Sequence, residues 1–175
     1  MRETPVLRVA RAPGREPWRG ILSAGGRSWP CAIGRSGLKV LKREGDGGTP
    51  VGRWTLQAFY FRADHGPRPA TLLPGRATRR NDGWCDDPAH PLYNRPVRLP
   101  FGRNREGLWR GDRLYDVVVV LSHNTRPRVR GLGSAIFMHL ARPGYTATEG
   151  CVATDIGTLR FLLAHARRGT PIVIG

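Results

Sequence analysis

The sequence lacks any apolar run that approaches the roughly 20 residues needed to cross a lipid bilayer. Its first residues, from Met1 to Gly20, are interrupted by arginines and prolines and contain no apolar core of the secretory type. We therefore expect no membrane span. If the protein is exported, either a leader has been removed or another route is used; otherwise it acts inside the cell.

Lysine and acidic residues are scarce. Only Lys39 and Lys42 are lysines, so 27 of the 29 basic residues are arginines, and with 13 acidic residues the net charge is +16. Such a protein is attracted to anionic polymers. The charge is scattered, and no helix-turn-helix, zinc-finger or aromatic-basic RNA motif is present. We therefore do not expect nucleic acid to be the principal partner.

Cysteine occurs only three times, at Cys31, Cys85 and Cys151. Two interpretations are open: a Cys31–Cys85 disulfide that leaves Cys151 free, or three free thiols, which we favour. A metal site built from Cys85, His90, His139 and Cys151 is conceivable, but the Cys85-to-His90 spacing fits no zinc pattern well. We expect neither a metal nor another cofactor.

Glycine and proline are abundant, with 23 and 15 residues, which favours turns and strands over helices. The length of 175 residues predicts a single domain over 1–175. The predicted fold is therefore mostly β with one helix. Strands are predicted at Val6–Val9, at 21–24 and 28–33 around a Gly25-Gly26 turn, and at 55–61, 114–121, 134–139 and 171–174.

Three segments carry further detail. The β-branched run Val117–Val120 predicts a central strand that is buried on both faces. The segment 62–112 is rich in Pro, Gly and Arg, and we expect a long irregular excursion that borders the functional cleft; an ordinary surface loop is the alternative. A helix is predicted after an N-cap at Thr154 or Asp155, ending at Gly169.

The loop between His139 and Cys151 carries the strongest chemical signal. His139 ends an apolar segment, and Gly150 allows a tight backbone just before Cys151. An imidazole close to a thiol can hold it as the nucleophilic thiolate, and a nearby helix N-terminus at Asp155 favours the same charge. A buried structural cysteine with an unrelated histidine is the alternative interpretation.

A second motif lies about a hundred residues upstream, where Asp46–Trp54 reads D-G-G-T-P-V-G-R-W. Together with His139 and the Thr148–Val152 segment T-E-G-C-V, it resembles the L,D-transpeptidase catalytic domain family (YkuD-like). The resemblance implies a β-sandwich-like catalytic domain that acts on peptidoglycan stem peptides.

The same resemblance implies roles for individual residues. Cys151 is the expected nucleophile, His139 the general base or imidazolium partner, and the backbone N–H groups of Gly150 and Cys151 the expected oxyanion donors. An acyl-enzyme would form at the diamino acid of stem position 3, D-Ala would leave, and an amine would accept the acyl group. Carbapenem-type lactams are the expected covalent inhibitors.

Several residues depart from the family pattern and indicate a divergent subfamily. Glu149 replaces the histidine that usually precedes Gly150, and Ala153 stands where Arg or Asn is usual. Leu140 replaces a small residue, and the gap between His139 and the cysteine is short. We expect the Glu149 carboxylate to raise the thiol pKa and to repel anionic ligands.

Other polar and aromatic residues are candidates for substrate binding, with loop packing as the alternative role. His123 and Asn124 end the predicted central strand, and Arg142 could meet a substrate carboxylate. The candidates are His123, Asn124, Arg142, Tyr145, Glu149, Trp84 and Tyr93, together with Asp86, Asp87 and Asn94.

Three functions remain open from the sequence: a transpeptidase, which we favour; an L,D-carboxypeptidase or other thiol hydrolase on the same substrate; and a non-catalytic wall-binding or nucleic-acid-binding protein. The retention of both His139 and Cys151 argues against the third. The substrate places the first two in the periplasm or cell envelope, although the absence of a visible signal peptide leaves a cytoplasmic location open.

Overall fold

A computed structural model describes residues 5–14, 16–102 and 105–175. Over these residues the chain forms fourteen strands and one α-helix, α1 (Ile156–Ala164). The strands are β1 (Leu7–Arg11), β2 (Arg19–Ala24), β3 (Arg27–Ala32), β4 (Leu38–Lys39), β5 (Thr49–Pro50), β6 (Gly52–Phe61), β7 (Gly75–Ala77), β8 (Asp82–Cys85), β9 (Pro96–Arg98), β10 (Arg105–Gly107), β11 (Val117–Leu121), β12 (Phe137–Leu140), β13 (Val152–Thr154) and β14 (Pro171–Ile174).

Nine of these strands form one sheet in the order β11-β12-β13-β3-β2-β1-β14-β6-β7. β6 also pairs with β11, from Phe61 opposite Val117 to Leu56 opposite Leu121, so eight strands close into a ring. Most pairs are antiparallel, while β1–β14, β12–β13 and β6–β7 are parallel. The mostly β fold with one helix confirms the fold class that the sequence predicted.

β11 separates two apolar cores, which explains its uninterrupted valines. Val117 and Val119 face the larger core, which also receives the buried face of α1. Val118 and Val120 face a second core with Phe137 and other residues. The remaining members of this second core are Trp84, Leu108, Leu114, Tyr115 and Cys151, with Tyr60 and Ala135 packed against it. Cys151 therefore lies on the side of β11 that the 62–112 excursion covers.

The 62–112 excursion is more regular than its sequence suggested. β7 extends the main sheet, and β10-β8-β9 form a separate three-stranded sheet. These strands have only three or four residues each, so none shows enough alternation to be recognised from sequence. Trp84 and Leu108 of this excursion pack into the second core, so it forms a wall over the outer face of β11 and β12.

The helix begins as predicted but ends earlier. Asp155 is the N-cap, and its carboxylate accepts the Thr158 N–H at 2.8 Å. The helix stops at Ala164, well before Gly169, because Ala166 turns into the core and Arg167 pairs with Leu72 in a β-bridge. Within the described parts of the chain, no helix is long and apolar enough to cross a membrane.

Candidate active site

His139 and Cys151 are positioned by two adjacent parallel strands. β12 pairs with β13 so that His139 lies opposite Ala153. Cys151 comes two residues before Ala153, and alternate residues of a strand point to the same face. Both side chains line one cavity of about 400 Å³. The charged residues that line this cavity are Lys42, Glu44, Asp86, Glu106, Arg110, Arg142 and Glu149.

The Cys151 sulfur is held by two backbone groups. The Phe137 N–H points at Sγ at 3.4 Å, and Sγ donates to the Ala135 carbonyl at 3.2 Å. No hydrogen bond joins Cys151 to His139 among the described residues. Burial raises the pKa of the Cys151 thiol to about 12. The sulfur therefore rests as a protonated thiol directed at Ala135.

The His139 imidazole is fixed on its Nδ1 side. Nδ1 lies 2.9 Å from the Leu140 carbonyl, which assigns the proton to Nδ1 and leaves a lone pair on Nε2. The ring centroid of Tyr115 lies 5.2 Å from that of His139, in an edge-on arrangement. Burial lowers the pKa of His139 to about 4. The imidazole is therefore neutral at physiological pH, the form that can accept a proton.

The sequence left two roles open for His139, a general base or the imidazolium of a thiolate pair, and the neutral state of both groups favours the general base. Burial of both groups disfavours both charges, which outweighs any nearby opposite charge. The helix offers little help, because β13 separates Cys151 from the first helical residue, Ile156. Helix-dipole effects fall off within the first turn of a helix.

The two sequence motifs meet directly beside the cysteine. Gly150 has φ +136°, and a β-carbon there would lie 2.8 Å from the Gly48 carbonyl oxygen. Thr49 is fully buried, and its hydroxyl accepts the Gly34 N–H at 2.8 Å. Gly34 in turn bridges to Thr148. The D-G-G-T-P segment therefore supports the backbone of the loop that presents Cys151.

Comparison with known proteins identifies the family of this site. The YkuD model of the L,D-transpeptidase catalytic domain matches residues 22–174. The chain belongs to this family. A search of curated proteins finds no match. Among solved structures, the crystal structure of L,D-transpeptidase 1 from Mycobacterium tuberculosis is 12% identical with a TM-score of 0.37, and the match covers 97% of the present chain but only 62% of that chain.

The structure does not support the role that the sequence predicted for Glu149 in this L,D-transpeptidase-family domain, which was to raise the pKa of the thiol. Its side chain is 78% exposed and forms an ion pair with Arg35 at 3.0 Å. Solvent and Arg35 screen this carboxylate. Burial is the main cause of the raised pKa of Cys151, and the Phe137 N–H opposes it; the Glu106 carboxylate raises this pKa further, while Lys42 and Arg110 lower it. The unusual residue next to Gly150 therefore has less influence on the sulfur than the sequence suggested.

The sequence missed a polar network on the excursion side of the cavity. Tyr115 donates from its hydroxyl to Glu106 Oε1 at 3.1 Å, and Arg110 Nη1 binds the same oxygen at 3.0 Å. Arg110 also forms an ion pair with Asp112 at 2.5 Å, and Asp112 lies 3.7 Å from Arg142. The only available signal was the position of Tyr115 two residues before the valine run.

Lys42 and Glu44 were also missed, although they stand just before the D-G-G-T-P motif. Lys42 is nearly buried and donates to Asp46 Oδ1 at 2.6 Å. Glu44 accepts a hydrogen bond from Ser134 Oγ at 2.7 Å and another from the Tyr93 hydroxyl. The two contacts of Glu44 join residues 49 and 90 positions apart in sequence, which no local pattern could show.

The structure brings Arg142, Glu149 and Asp86 to the cavity wall but leaves the other substrate-binding candidates outside it. His123 is buried: its ring packs edge-on against Trp54, and Nε2 bonds the Leu132 carbonyl at 2.8 Å. Asn124 holds its own loop through Val129 and Gly133. Their partners are protein groups, so direct substrate contact does not fit this structure.

The remaining candidates also have local roles. Trp84 is buried and donates from Nε1 to Asn94 Oδ1 at 2.9 Å. Tyr93 is buried, and its hydroxyl donates to Glu44, which does line the cavity. Tyr145 lies in a short 3-10 turn, and Asp87 caps the Ala89 N–H. None of these four side chains lines the cavity.

The expected oxyanion donors are not equivalent. The Gly150 N–H donates to Thr148 Oγ1 at 3.2 Å, so it is already engaged. The Cys151 N–H is the other donor that the sequence predicted. Thr148 Oγ1 itself donates to the Cys151 carbonyl at 2.7 Å, which fixes the peptide that follows the sulfur.

All three cysteines are free and buried, which agrees with the interpretation that we favoured from the sequence. Burial raises the pKa of Cys31 to about 12, and that of Cys85 is also raised. No group of three or more His, Cys, Asp or Glu side chains suited to a metal ion occurs within the described parts of the chain.

Proposed function

We propose that this protein is a cysteine-dependent L,D-transpeptidase that acts on peptidoglycan stem peptides. The observation that carries the proposal is the placement of His139 on β12 and of Cys151 directly before the adjacent strand β13, where both line a single cavity in a chain of the YkuD family. Members of this family act on cell-wall peptidoglycan, so we propose the cell envelope as the site of action.

The proposed reaction starts from a neutral pair. Substrate binding displaces the Cys151 S–H from the Ala135 carbonyl, and the proton passes to His139 Nε2 as sulfur attacks the carbonyl carbon of the position-3 diamino acid. A tetrahedral oxyanion forms, stabilised by the Cys151 N–H. The C–N bond to D-Ala then breaks, the leaving amine takes the proton from His139, and a thioester remains.

The second half of the reaction repeats these steps in reverse. An acceptor amine attacks the thioester carbonyl and gives a proton to Nε2 of His139. The C–S bond breaks, the proton returns to the sulfur, and the cross-linked product leaves. Because imidazole is neutral at the start of each half, His139 acts first as base and then as acid in both.

The charge pattern of the cavity suits a zwitterionic substrate. Glu106 and Asp86 stand on one wall, with Arg110 beside Glu106, and Arg142 lies on the loop that precedes Cys151. A diamino acid with its peptide carboxylates offers charges of both signs. The carboxylates can attract a free amine, and the guanidinium of Arg142 can attract a carboxylate.

Mass spectrometry of muropeptides tests this function. The enzyme is incubated with stem tetrapeptides, with and without an added acceptor amine, and compared with Cys151→Ala. Release of D-Ala together with a cross-linked product, absent in Cys151→Ala, is the expected result. D-Ala release with hydrolysed product only, even with acceptor present, would instead establish the carboxypeptidase. Turnover by Cys151→Ala would rule out both.

A further inference from the structure

The carbonyl that receives the Cys151 S–H belongs to a strained residue. Ala135 has φ +52°, a left-handed conformation that costs a residue with a side chain roughly 1–2 kcal/mol. It directly precedes Ile136 and β12, so its peptide orientation decides where its carbonyl points. Because the strain is intrinsic to Ala135, something outside the segment must hold this conformation.

Asn94 is the residue that holds it. The Ala135 N–H donates to Asn94 Oδ1 at 3.1 Å, across 41 residues of sequence. The same oxygen accepts Trp84 Nε1 at 2.9 Å, and Asn94 Nδ2 donates to the carbonyls of His123 at 3.2 Å and Asn124 at 2.7 Å. Two donors face the oxygen and two acceptors face the nitrogen, so the orientation of the amide is fixed.

Asn94 is only 2% exposed and does not line the cavity. It also adopts φ +54°, and its backbone is tied down by Cys85 O at 2.8 Å and by Arg128 Nε at 3.1 Å. The excursion thus holds the amide rigidly behind the site. Because Asn94 does not line the cavity, any effect of its amide on chemistry must pass through the groups that it binds, and among these the Ala135 carbonyl is the one that accepts the Cys151 S–H.

Trp84 connects the same amide to the second group that holds the sulfur. Its ring packs edge-on against Phe137, with centroids 5.2 Å apart, while its Nε1 binds Asn94. Phe137 supplies the N–H that points at Sγ. Both backbone contacts of the Cys151 sulfur therefore rest on side chains of the excursion.

We propose that Asn94 is a positioning residue for Cys151: its amide holds Ala135 in the left-handed conformation that aims the Ala135 carbonyl at the thiol, and Trp84 locks this amide against Phe137. The expected effect on turnover rests on the proposed function. The expected effect on the reactivity of the sulfur is independent of it, because this reactivity is measurable without any substrate.

The test is alkylation of Cys151 by iodoacetamide between pH 7 and 10, with the adduct located by peptide mass mapping. In Asn94→Gly the positive φ of residue 94 remains accessible, but the amide is gone. Loss of the carbonyl acceptor removes a hydrogen bond to the neutral thiol and so lowers its pKa. Loss of one hydrogen bond should lower the pKa of the thiol by roughly half a unit to one unit, so the rate of alkylation at a given pH should rise roughly three- to tenfold.

A second substitution separates positioning from general loosening. Glycine adopts positive φ without strain. Ala135→Gly in the Asn94→Gly background should therefore return the alkylation rate toward the wild-type value. The matched control is Asn81→Gly, which removes an exposed amide of the same excursion whose Oδ1 binds Arg98 at 3.0 Å, and it should alkylate like wild type.

Turnover supplies the third readout. We expect kcat of Asn94→Gly to fall at least tenfold while KM stays within about twofold, because Asn94 touches no substrate. If Asn94→Gly does not fold, Trp84→Phe keeps an aromatic ring beside Phe137 and removes one hydrogen bond to the amide, and a smaller change in the same direction is expected. Unchanged alkylation and kcat in Trp84→Phe would then overturn the proposal.

Three further outcomes test the positioning role of Asn94. Alkylation of Asn94→Gly that equals that of Asn81→Gly, or a faster rate that Ala135→Gly fails to reverse, would overturn the positioning role. If alkylation follows the expected pattern but the wild type turns over no stem peptide, Asn94 still positions the sulfur and the proposed transpeptidase reaction is the part that is wrong.

Discussion

Gly150 lies so close to Gly48 that a β-carbon at position 150 would stand 2.8 Å from the Gly48 carbonyl oxygen. This contact joins the D-G-G-T-P segment to the residue just before the nucleophile. It explains why a glycine with φ +136° is needed at the entrance to the cysteine, independently of any catalytic role.

Gly150→Ala should therefore damage both fold and activity. We expect a loss of about 1–3 kcal/mol in the free energy of unfolding, from backbone strain and the clash with Gly48, together with a large fall in turnover. Urea unfolding and D-Ala release measure the two effects. Gly144→Ala is the matched control, since Gly144 has φ +74° but open space around it. Equal effects in both variants would show that the contact with Gly48 contributes nothing.

Cys151 should behave as a buried thiol in the absence of substrate. Because its pKa is raised to about 12, the thiolate fraction, and with it the rate of alkylation, should increase about tenfold per pH unit from pH 7 to 10 without a plateau. Peptide mass mapping distinguishes Cys151 from Cys31 and Cys85. Fast alkylation at pH 6 with a plateau above it would instead establish a resting thiolate–imidazolium pair.

His139→Ala should slow acylation by about 10²- to 10⁴-fold, the usual contribution of general acid–base catalysis. The fold should persist, as seen by circular dichroism. Single-turnover release of D-Ala is the appropriate measurement, since it isolates formation of the thioester. A loss of less than tenfold would remove His139 from the mechanism. His123 is not a substitute, because its Nε2 is bound to Leu132 and it lies outside the cavity.

The same histidine should make the fold sensitive to acid. The pKa of His139 is about 4 in the folded chain against an ordinary 6.5, so as the pH falls through this window the unfolded chain binds a proton that the folded chain refuses. The free energy of unfolding should fall by about 3 kcal/mol between pH 6.5 and 4 from this group. His139→Gln should flatten that part of the pH profile in urea unfolding. The exposed His165→Gln should retain the wild-type slope.

Carbapenem acylation tests which carboxylate governs the sulfur. One lactam mass should add to each chain at Cys151 and be absent in Cys151→Ala. Glu106→Gln should accelerate acylation, because the Glu106 charge raises the pKa of Cys151. Glu149→Gln should change the rate less than about threefold, because this carboxylate is exposed and paired with Arg35. A larger effect at Glu149 than at Glu106, measured by intact-protein mass spectrometry, would restore the expectation drawn from the sequence.

Several parts of the molecule could be predicted because their signals are local. The Gly25-Gly26 hairpin joins β2 and β3 as expected, with positive φ at both glycines. The valine run became a strand that is buried on both faces, and Asp155 caps the helix. Each of these features is encoded within a few neighbouring residues, where turn chemistry or side-chain period is sufficient.

Other parts depended on contacts between distant segments. The short strands of the excursion form only because they pair with each other and pack on β11. The helix ends at Ala164 because Ala166 packs into the core and Arg167 pairs with Leu72 in a β-bridge, although Gly169 is a local helix-termination signal. In both cases tertiary packing outweighed local sequence preference.

The sequence by itself determined the family and the mostly β fold, and it led to the proposal of Cys151 and His139 as the reacting pair, because these follow from residue types at fixed spacing. Only the tertiary structure decided how that pair is held. Burial sets both groups neutral, Arg35 pairs with the exposed Glu149, Glu106 lines the cavity from the excursion, and the Asn94 amide binds Ala135. Burial and long-range hydrogen bonds belong to the folded chain as a whole, and no local segment contains them.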